Sequence, residues 1–208
     1  LADYTFSGAK VNGVSGGTML ETDLGTIPAN GTAQAQWWLT SSIQGRFTGM
    51  SAQFMQLNNW GNPKTCLIDA TYLHPLVKSV SAGANALPDF LVSEDAGNGG
   101  ADTLYLDDGS VLDVGEAADA VVVGDAHGTR FETTLRFTAD GAGAWYGSVA
   151  DPGAGRYEIE MVTGADGTEL PLENFWLRDR SIEETGAPVY GSKLHFFAMS
   201  PSAGVQEY

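Results

Sequence analysis

Positively charged residues are scarce in this 208-residue chain, which has 10 Lys and Arg against 26 Asp and Glu and a formal net charge of -16. A protein that binds nucleic acid neutralises phosphates with a basic face, and so few cations cannot build a large one in such an acidic chain. An anionic membrane surface repels the chain for the same reason. We therefore expect no nucleic acid and no anionic lipid among its partners.

Long apolar runs are also missing, because no stretch approaches the roughly 18 apolar residues of a membrane span. Hydrophobic residues still make up 43% of the chain and charged residues 17%, a balance that supports a folded core. The chain begins without Met and shows no basic or apolar leader. We expect a piece of a longer chain, with no membrane insertion and with neighbouring domains as partners.

Cysteine occurs once, at Cys66, so an intramolecular disulfide and a multi-cysteine zinc site are both excluded. The apolar neighbours Leu67 and Ile68 predict an inert, buried thiol. Absence of disulfides by itself favours the cytosol. Acidity, few Lys and many Gly and turn Asp residues are instead typical of large bacterial surface or secreted proteins, which is the location that we expect.

Short runs in which apolar and polar residues alternate predict half-buried strands. The clearest is 130–137, in which Phe131, Leu135 and Phe137 face one way and the charged residues the other. In 33–39 the same pattern places Trp37 in the core. Further strands are predicted at 156–161 and 193–199, and strands covered on both faces at 66–80 and 120–123.

Helical patterns are thin, whereas turn sequences such as Asp107-Asp108-Gly109 recur about every ten residues. This spacing favours an all-β fold made of antiparallel β-sandwiches. A small, polar stretch at 81–86 (SAGANA) is the predicted boundary. We therefore expect two Ig-like β-sandwich modules in tandem, one at 1–82 and a larger one at 83–208.

One part of the first module has a recognisable order of elements. The turn Pro28-Ala29-Asn30-Gly31 precedes the aromatic strand 33–39, and a second strand carries Gly45, Phe47 and Thr48. This order resembles CARDB-type and related Ig-like adhesion modules of large bacterial secreted or cell-surface proteins. The resemblance implies a part in a larger extracellular chain, and it carries over no catalytic residues.

Acidic residues are concentrated between Asp89 and Glu116, a span that contains no Lys or Arg. Closely spaced carboxylates repel one another, and a hard cation with 6 to 8 oxygen ligands relieves that repulsion. The sequence therefore predicts a calcium site, with solvated turn residues as the alternative. The candidate ligands are Asp89, Asp95, Asp102, Asp107, Asp108 and Asp113.

Aromatic residues in turns and strands are candidates for a binding surface, because sugars and peptides stack on such rings. Trp60 lies in a turn, and Trp145 and Tyr146 are adjacent in a strand. Packing against a loop or a domain interface is the alternative for each. These three residues are the predicted ligand-binding side chains.

Signatures of catalysis are missing. His74, His127 and His195 lie far apart, and no HExxH or G-x-S-x-G pattern occurs. We therefore expect no enzyme, but a non-catalytic structural or adhesion accessory module of a larger surface or secreted protein, with calcium as its stabilising ion. A carbohydrate- or peptide-binding module is the alternative, and a hydrolase with an unrecognised carboxylate pair is a second one.

Overall fold

The computed structural model describes residues 3–43, 52–56, 68–83, 87–94, 100–127, 130–178, 181–182, 188–189 and 191–208. Within these ranges the fold is all-β, with several sheets, a single 3₁₀ turn at Leu172–Asn174 and no α-helix. None of these residues forms a helix with the length and hydrophobicity of a membrane span. The strands are β1 Tyr4–Val11, β2 Val14–Gly17, β3 Ala35–Ser41, β4 Leu76–Val80, β5 Asp89–Val92, β6 Thr103–Tyr105, β7 Val111–Glu116, β8 Val121–His127, β9 Arg130–Ala139, β10 Gly143–Ala150, β11 Phe175–Arg178, β12 Ser181–Ile182, β13 Pro188–Val189, β14 Lys193–Ser200 and β15 Gly204–Glu207.

The chain divides into two compact units. One comprises Leu1–Gly25 and Ala35–His74, and the other Thr26–Gln34 and Pro75–Tyr208. The second unit starts before the expected module boundary because β4 pairs with β5. The short segment before β3 belongs to it as well, since the Gln34 amide donates a hydrogen bond to the Pro88 carbonyl at 3.0 Å. The assignment of modules at 1–82 and 83–208 stays a prediction.

The first unit contains a three-stranded antiparallel sheet in the order β2-β1-β3. Asn12 and Gly13 join β1 to β2 with φ angles of 47° and 79°, the left-handed values that a tight hairpin turn needs. Trp37 was predicted to lie in the core, but it is 39% exposed, and Trp38 beside it is 43% exposed. The Lys10 ammonium covers the Trp38 ring at 5.5 Å. In this unit alternation along β3 therefore predicts the strand but not burial of its rings.

In the second unit, seven strands form one sheet in the order β11-β14-β10-β7-β6-β5-β4. Its central strand β7 pairs with β6 through residues 111–113 and with β10 through residues 114–116. The pairing of β7 with β10 is parallel, whereas all sheets were expected to be antiparallel. The periodicity of a strand does not show which strand it pairs with, so it could not predict that β7 and β10 run parallel.

A three-stranded sheet in the order β15-β9-β8 packs on one face of the seven-stranded sheet. The core between them includes Leu135 and Phe137 of β9 and Phe196 of β14. A second core, built around Leu91, Leu104 and Phe197, lies on the other face of the seven-stranded sheet. Strand β14 is therefore covered on both faces, which explains why Phe196 and Phe197 are both fully buried.

Several strand predictions are confirmed. Strand β9 buries Leu135, Phe137 and Ala139 and exposes the residues between them, as its alternation predicts. Strand β14 covers the predicted 193–199. The turn Asp107-Asp108-Gly109 connects β6 to β7, and Gly109 has the positive φ of 87° that favours glycine. These features depend on neighbours in sequence, which is why the pattern predicts them.

Other strand predictions are wrong. Residues 156–161 form no strand, since no backbone among the described residues pairs with them, and Met161 is 63% exposed. Of 66–80, only Leu76–Val80 is a strand among the described residues, and Cys66 lies outside them. Strand β8 is not covered on both faces, since it lies at a sheet edge and leaves Val123 62% exposed.

Candidate functional site

A pocket of about 350 Å³ lies between the two end strands of the seven-stranded sheet. Although β4 and β11 are at opposite ends of the strand order, the sheet curls enough to bring their side chains into contact. They are not paired by backbone hydrogen bonds, so a gap remains between them. The residues that line the gap are Leu76, Val77, Lys78, Tyr146, Trp176, Leu177, Arg178 and His195.

The side chain of Asn174 closes one end of this gap. Its carbonyl oxygen accepts a hydrogen bond from the backbone N–H of Ser81 at 2.7 Å, and its amide donates to the Ser81 carbonyl at 2.7 Å. Asn174 is buried and immediately precedes β11, while Ser81 follows β4. A side chain thus takes the place of a paired strand at this point, and the two strands separate beyond it.

Three aromatic rings form the floor of the pocket. Strand pairing sets Trp176 of β11 directly opposite His195 of β14, and their rings stack with centroids 5.4 Å apart and an interplanar angle of 11°. Tyr146 of β10 stacks with His195 at 6.1 Å. Its hydroxyl also forms a hydrogen bond with His195 Nδ1 at 2.9 Å. Packing and a polar contact therefore hold the floor in place together.

Three of the ten cations of the chain surround these rings. The Lys78 ammonium lies over the Trp176 ring at 5.6 Å, and strand pairing sets Arg178 directly opposite Lys193. Two like charges at opposed positions in a sheet destabilise it. Within the described ranges, no carboxylate forms an ion pair with any of the three cations. Among the described residues that line or flank this pocket, positive charge therefore predominates, in a protein that is acidic as a whole.

Burial and these cations keep the histidine of the floor neutral. Burial, with the positive charges of Arg178 and Lys193, lowers the pKa of His195 from 6.5 to about 4. Burial also raises the pKa of Tyr146, and the nearby Glu116 carboxylate adds to that rise while Arg178 opposes it. Near neutral pH both members of the Tyr146–His195 pair are uncharged. The positive charge of the pocket then comes from its Lys and Arg side chains.

The predicted ligand-binding residues separate in the structure. Tyr146 lines the pocket, but the adjacent Trp145 faces the opposite side of β10 and packs near Phe137, with ring centroids 6.2 Å apart. Gly115 leaves room for the Trp145 ring, since a Cβ there would lie 2.8 Å from it. Trp145 and Tyr146 therefore form no common surface. Trp60 lies outside the described residues.

Sequence patterns did not single out the remaining residues of the pocket. His195 was placed in the correct strand, yet neither Trp176 nor Lys78 stood out as a binding residue. Lys78 and Trp176 approach each other because the sheet curls, and the extent of this curvature cannot be predicted from local periodicity. The sequence shows that cations are few in this chain, but it does not show that three of them meet at one site.

Among the predicted calcium ligands that the structure describes, Asp89 alone is fully buried, with 2% exposure. Its Oδ2 accepts a hydrogen bond from the backbone N–H of Ala82 at 2.7 Å, and its Oδ1 accepts one from the N–H of Asp107 at 2.9 Å. The Asp89 carboxylate, with both oxygens accepting backbone hydrogen bonds, thus links the start of β5 to the segment after β4 and to the segment after β6. This is a structural role for Asp89.

The other predicted ligands lie in turns or on strand faces. Asp102 accepts hydrogen bonds from the Glu94 backbone N–H and the Thr103 hydroxyl, both at 2.9 Å. Asp108 accepts one from the Ser110 N–H at 2.8 Å, and this bond lowers the pKa of its carboxyl. Of the remaining members, Asp107 lies in the turn before β7, Asp113 is exposed on β7, and Asp95 lies outside the described residues.

A ready-made metal cage would bring several ligands together. Among the described residues, no group of three or more His, Cys, Asp or Glu side chains is placed to hold a metal ion. Calcium binding stays a prediction, to be tested in solution.

Comparisons of the chain with protein-family models, with characterised proteins and with solved structures found no match. The geometry of the pocket is therefore the main guide to function.

Proposed function

We propose that this chain is a non-catalytic adhesion or accessory segment of a larger bacterial surface or secreted protein, and that it binds a glycan or peptide ligand in the pocket between β4 and β11. Its two units would then be tandem β-sandwich modules of the Ig-like type. The observation that carries the proposal is the stack of Trp176, His195 and Tyr146 on the floor of an open pocket.

This arrangement suits binding for a physical reason. Aromatic rings at the wall of a concave site provide flat apolar contact area, and a few fixed polar groups orient the ligand. The hydrogen bond between Tyr146 and His195 fixes such groups at the floor. The volume of about 350 Å³ is within the range of small-ligand sites, which begin at roughly 300 Å³.

The test is a glycan and peptide array probed with the whole chain, followed by titration of each hit through tryptophan fluorescence. Trp176→Ala should weaken binding roughly three- to tenfold, because it removes one stacking ring. Trp145→Phe is the matched control, since Trp145 lies on the opposite face of β10, and it should leave affinity unchanged. Absence of any hit, or equal affinities for both variants and the parent, would contradict the proposal.

An accessory role in a longer chain has its own support. The three-stranded sheet of the first unit leaves Tyr4, Trp37, Trp38 and Leu39 exposed. Large apolar side chains grouped on one sheet favour cover by another protein surface. We propose that a neighbouring domain of the parent protein provides it. Hydroxyl-radical labelling of Trp38 should then be weaker in the parent protein than in residues 1–208 alone, and equal labelling would contradict this part of the proposal.

A further inference from the structure

The cations beside the pocket are not neutralised by carboxylates among the residues that the structure describes. Arg178 and Lys193 stand opposite each other, a placement that costs stability. Lys78 extends over an aromatic ring and, like the other two, pairs with no carboxylate among the residues that the structure describes. A folded chain of net charge -16 has many carboxylates that could neutralise them. Their grouping at one pocket therefore points to an anionic ligand.

The chemistry of the floor narrows the class of anion. A simple inorganic anion needs only donors and charge, whereas this pocket also presents the stacked rings of Trp176 and His195. A ligand that uses both features has a flat, ring-sized body next to a negative group. Sugar rings present such a body to aromatic side chains, and a guanidinium such as that of Arg178 binds a carboxylate through two parallel hydrogen bonds.

Neutrality of the floor matters as well. Since Tyr146 and His195 are uncharged near neutral pH, they can donate or accept hydrogen bonds with ligand hydroxyls without competing for its negative charge. Glu116 is the acidic group whose charge acts on Tyr146 from β7, so the negative group of the ligand belongs at the β4 and β11 side of the pocket. There Lys78 and Arg178 flank it.

We propose that this pocket binds acidic saccharides, specifically sugar units that carry a carboxylate, such as uronic acids, in preference to neutral sugars. The inference rests on the proposed function and adds the ligand class to it. The Lys78 ammonium, which lies over the Trp176 ring, would move from that ring to the carboxylate, so that the sugar ring takes its place on Trp176. Arg178 would hold the same carboxylate, and Lys193 would add to the positive potential without direct contact.

The experiment is calorimetric titration of the whole chain with short uronic-acid oligosaccharides, their methyl esters and the corresponding neutral oligosaccharides. The free acid should bind roughly tenfold or more tightly than its methyl ester, because esterification removes the charge and leaves the ring. Raising the ionic strength from about 0.05 M to about 0.5 M should reduce this preference, since salt screens partly exposed charges.

Substitutions in the pocket identify the side chains that cause the preference for the free acid. Arg178→Gln and Lys78→Met should each bring the affinity for the acid close to that for the ester, because each loses far more affinity for the acid than for the ester. Arg136→Gln is the matched control for net charge. The Arg136 guanidinium pairs with Glu207 at 2.6 Å on the sheet β15-β9-β8, away from the pocket, so this variant should retain the preference for the acid over the ester. Circular dichroism and thermal denaturation of each variant check that the fold persists.

Each outcome bears on one proposal or on both. Equal binding of acid, ester and neutral sugar would overturn the acidic-saccharide inference and leave the proposed binding function intact. Binding of acidic peptides but of no uronic acid would also overturn the inference alone. Failure of every saccharide and peptide to bind would overturn both.

Discussion

Acidification should destabilise the fold through His195, and the effect can be calculated from its environment. In the folded chain the pKa of this imidazole is about 4, compared with an ordinary value of 6.5. The unfolded chain therefore takes up a proton at a higher pH than the folded chain. Its contribution to stability is fully present above pH 6.5 and is lost progressively as the pH falls towards about 4.

The magnitude follows from proton linkage. One pKa unit corresponds to about 1.4 kcal/mol, so a depression of this size lowers the free energy of unfolding by about 2 kcal/mol between about pH 7 and about pH 5. Asp108, Asp119, Asp151 and Asp166 have lowered pKa values too. Their stabilising contributions are lost mainly at lower pH, below the ordinary carboxyl pKa.

The assay is urea unfolding near pH 7 and near pH 5, for the parent chain and for His195→Phe. Phe preserves a flat ring beside Trp176 but cannot titrate, so the loss of stability on acidification should be about 2 kcal/mol smaller in the variant. Contributions from all other titrating groups cancel in this double difference. Tyr146→Phe is the control: it removes the hydrogen bond to His195, keeps the imidazole, and should keep most of the pH dependence.

Equal losses of stability in the parent chain and in His195→Phe would show that the His195 imidazole does not cause this pH dependence. A direct measurement is also possible, because the imidazole protons of His195 can be titrated by nuclear magnetic resonance. A midpoint near the ordinary histidine pKa would show that the ring is solvated, and the description of the pocket floor would then be wrong.

Three further substitutions test other parts of the second unit. Asn174→Ala should lower the free energy of unfolding by about 1 to 3 kcal/mol, since both backbone groups of Ser81 lose their partner. Asn174→Asp should cost at least as much in the same urea titration, because a buried carboxylate oxygen would then face the Ser81 carbonyl oxygen, to which it cannot donate. Gly147→Ala should cost about 1 to 3 kcal/mol in thermal denaturation, because a Cβ would lie 2.6 Å from Cζ of Phe196, and an unchanged melting temperature would contradict this packing. Asp89→Asn should cost about 1 to 3 kcal/mol equally in EDTA and in calcium, because an amide cannot accept both backbone hydrogen bonds through oxygen; a loss seen only in calcium would instead assign Asp89 to a metal site.

Calcium binding by the acidic stretch from Asp89 to Glu116 has a separate test. Calorimetric titration of the chelated protein should give heat and raise its melting temperature if the predicted site exists. The hydrogen bonds at Asp89 and Asp102 occupy oxygens that a cation would need. If calcium produces neither heat nor a shift in melting temperature, these residues have structural roles alone.

Local sequence determined the strands that alternate and the turns between them. In β9 buried residues alternate with exposed ones from Leu135 to Ala139, and a period of two is a property of neighbours along the chain. Strand β14 lies where it was predicted, but its residues 194–198 are buried on both faces and do not alternate. The turn at Gly109 is of the same kind. At 156–161 the alternation is equally clear, but a strand also needs a partner backbone, and the described part of the chain provides none there.

The grouping of the pocket residues depends on the tertiary structure alone. The opposition of Trp176 and His195 depends on the register of β11 and β14, and the approach of Lys78 depends on a seven-stranded sheet curling until its end strands meet. Composition could show that cations are few, but only the pairing of strands far apart in sequence places three of them at one site. Register and curvature arise from the packing of both cores, so local periodicity does not determine them.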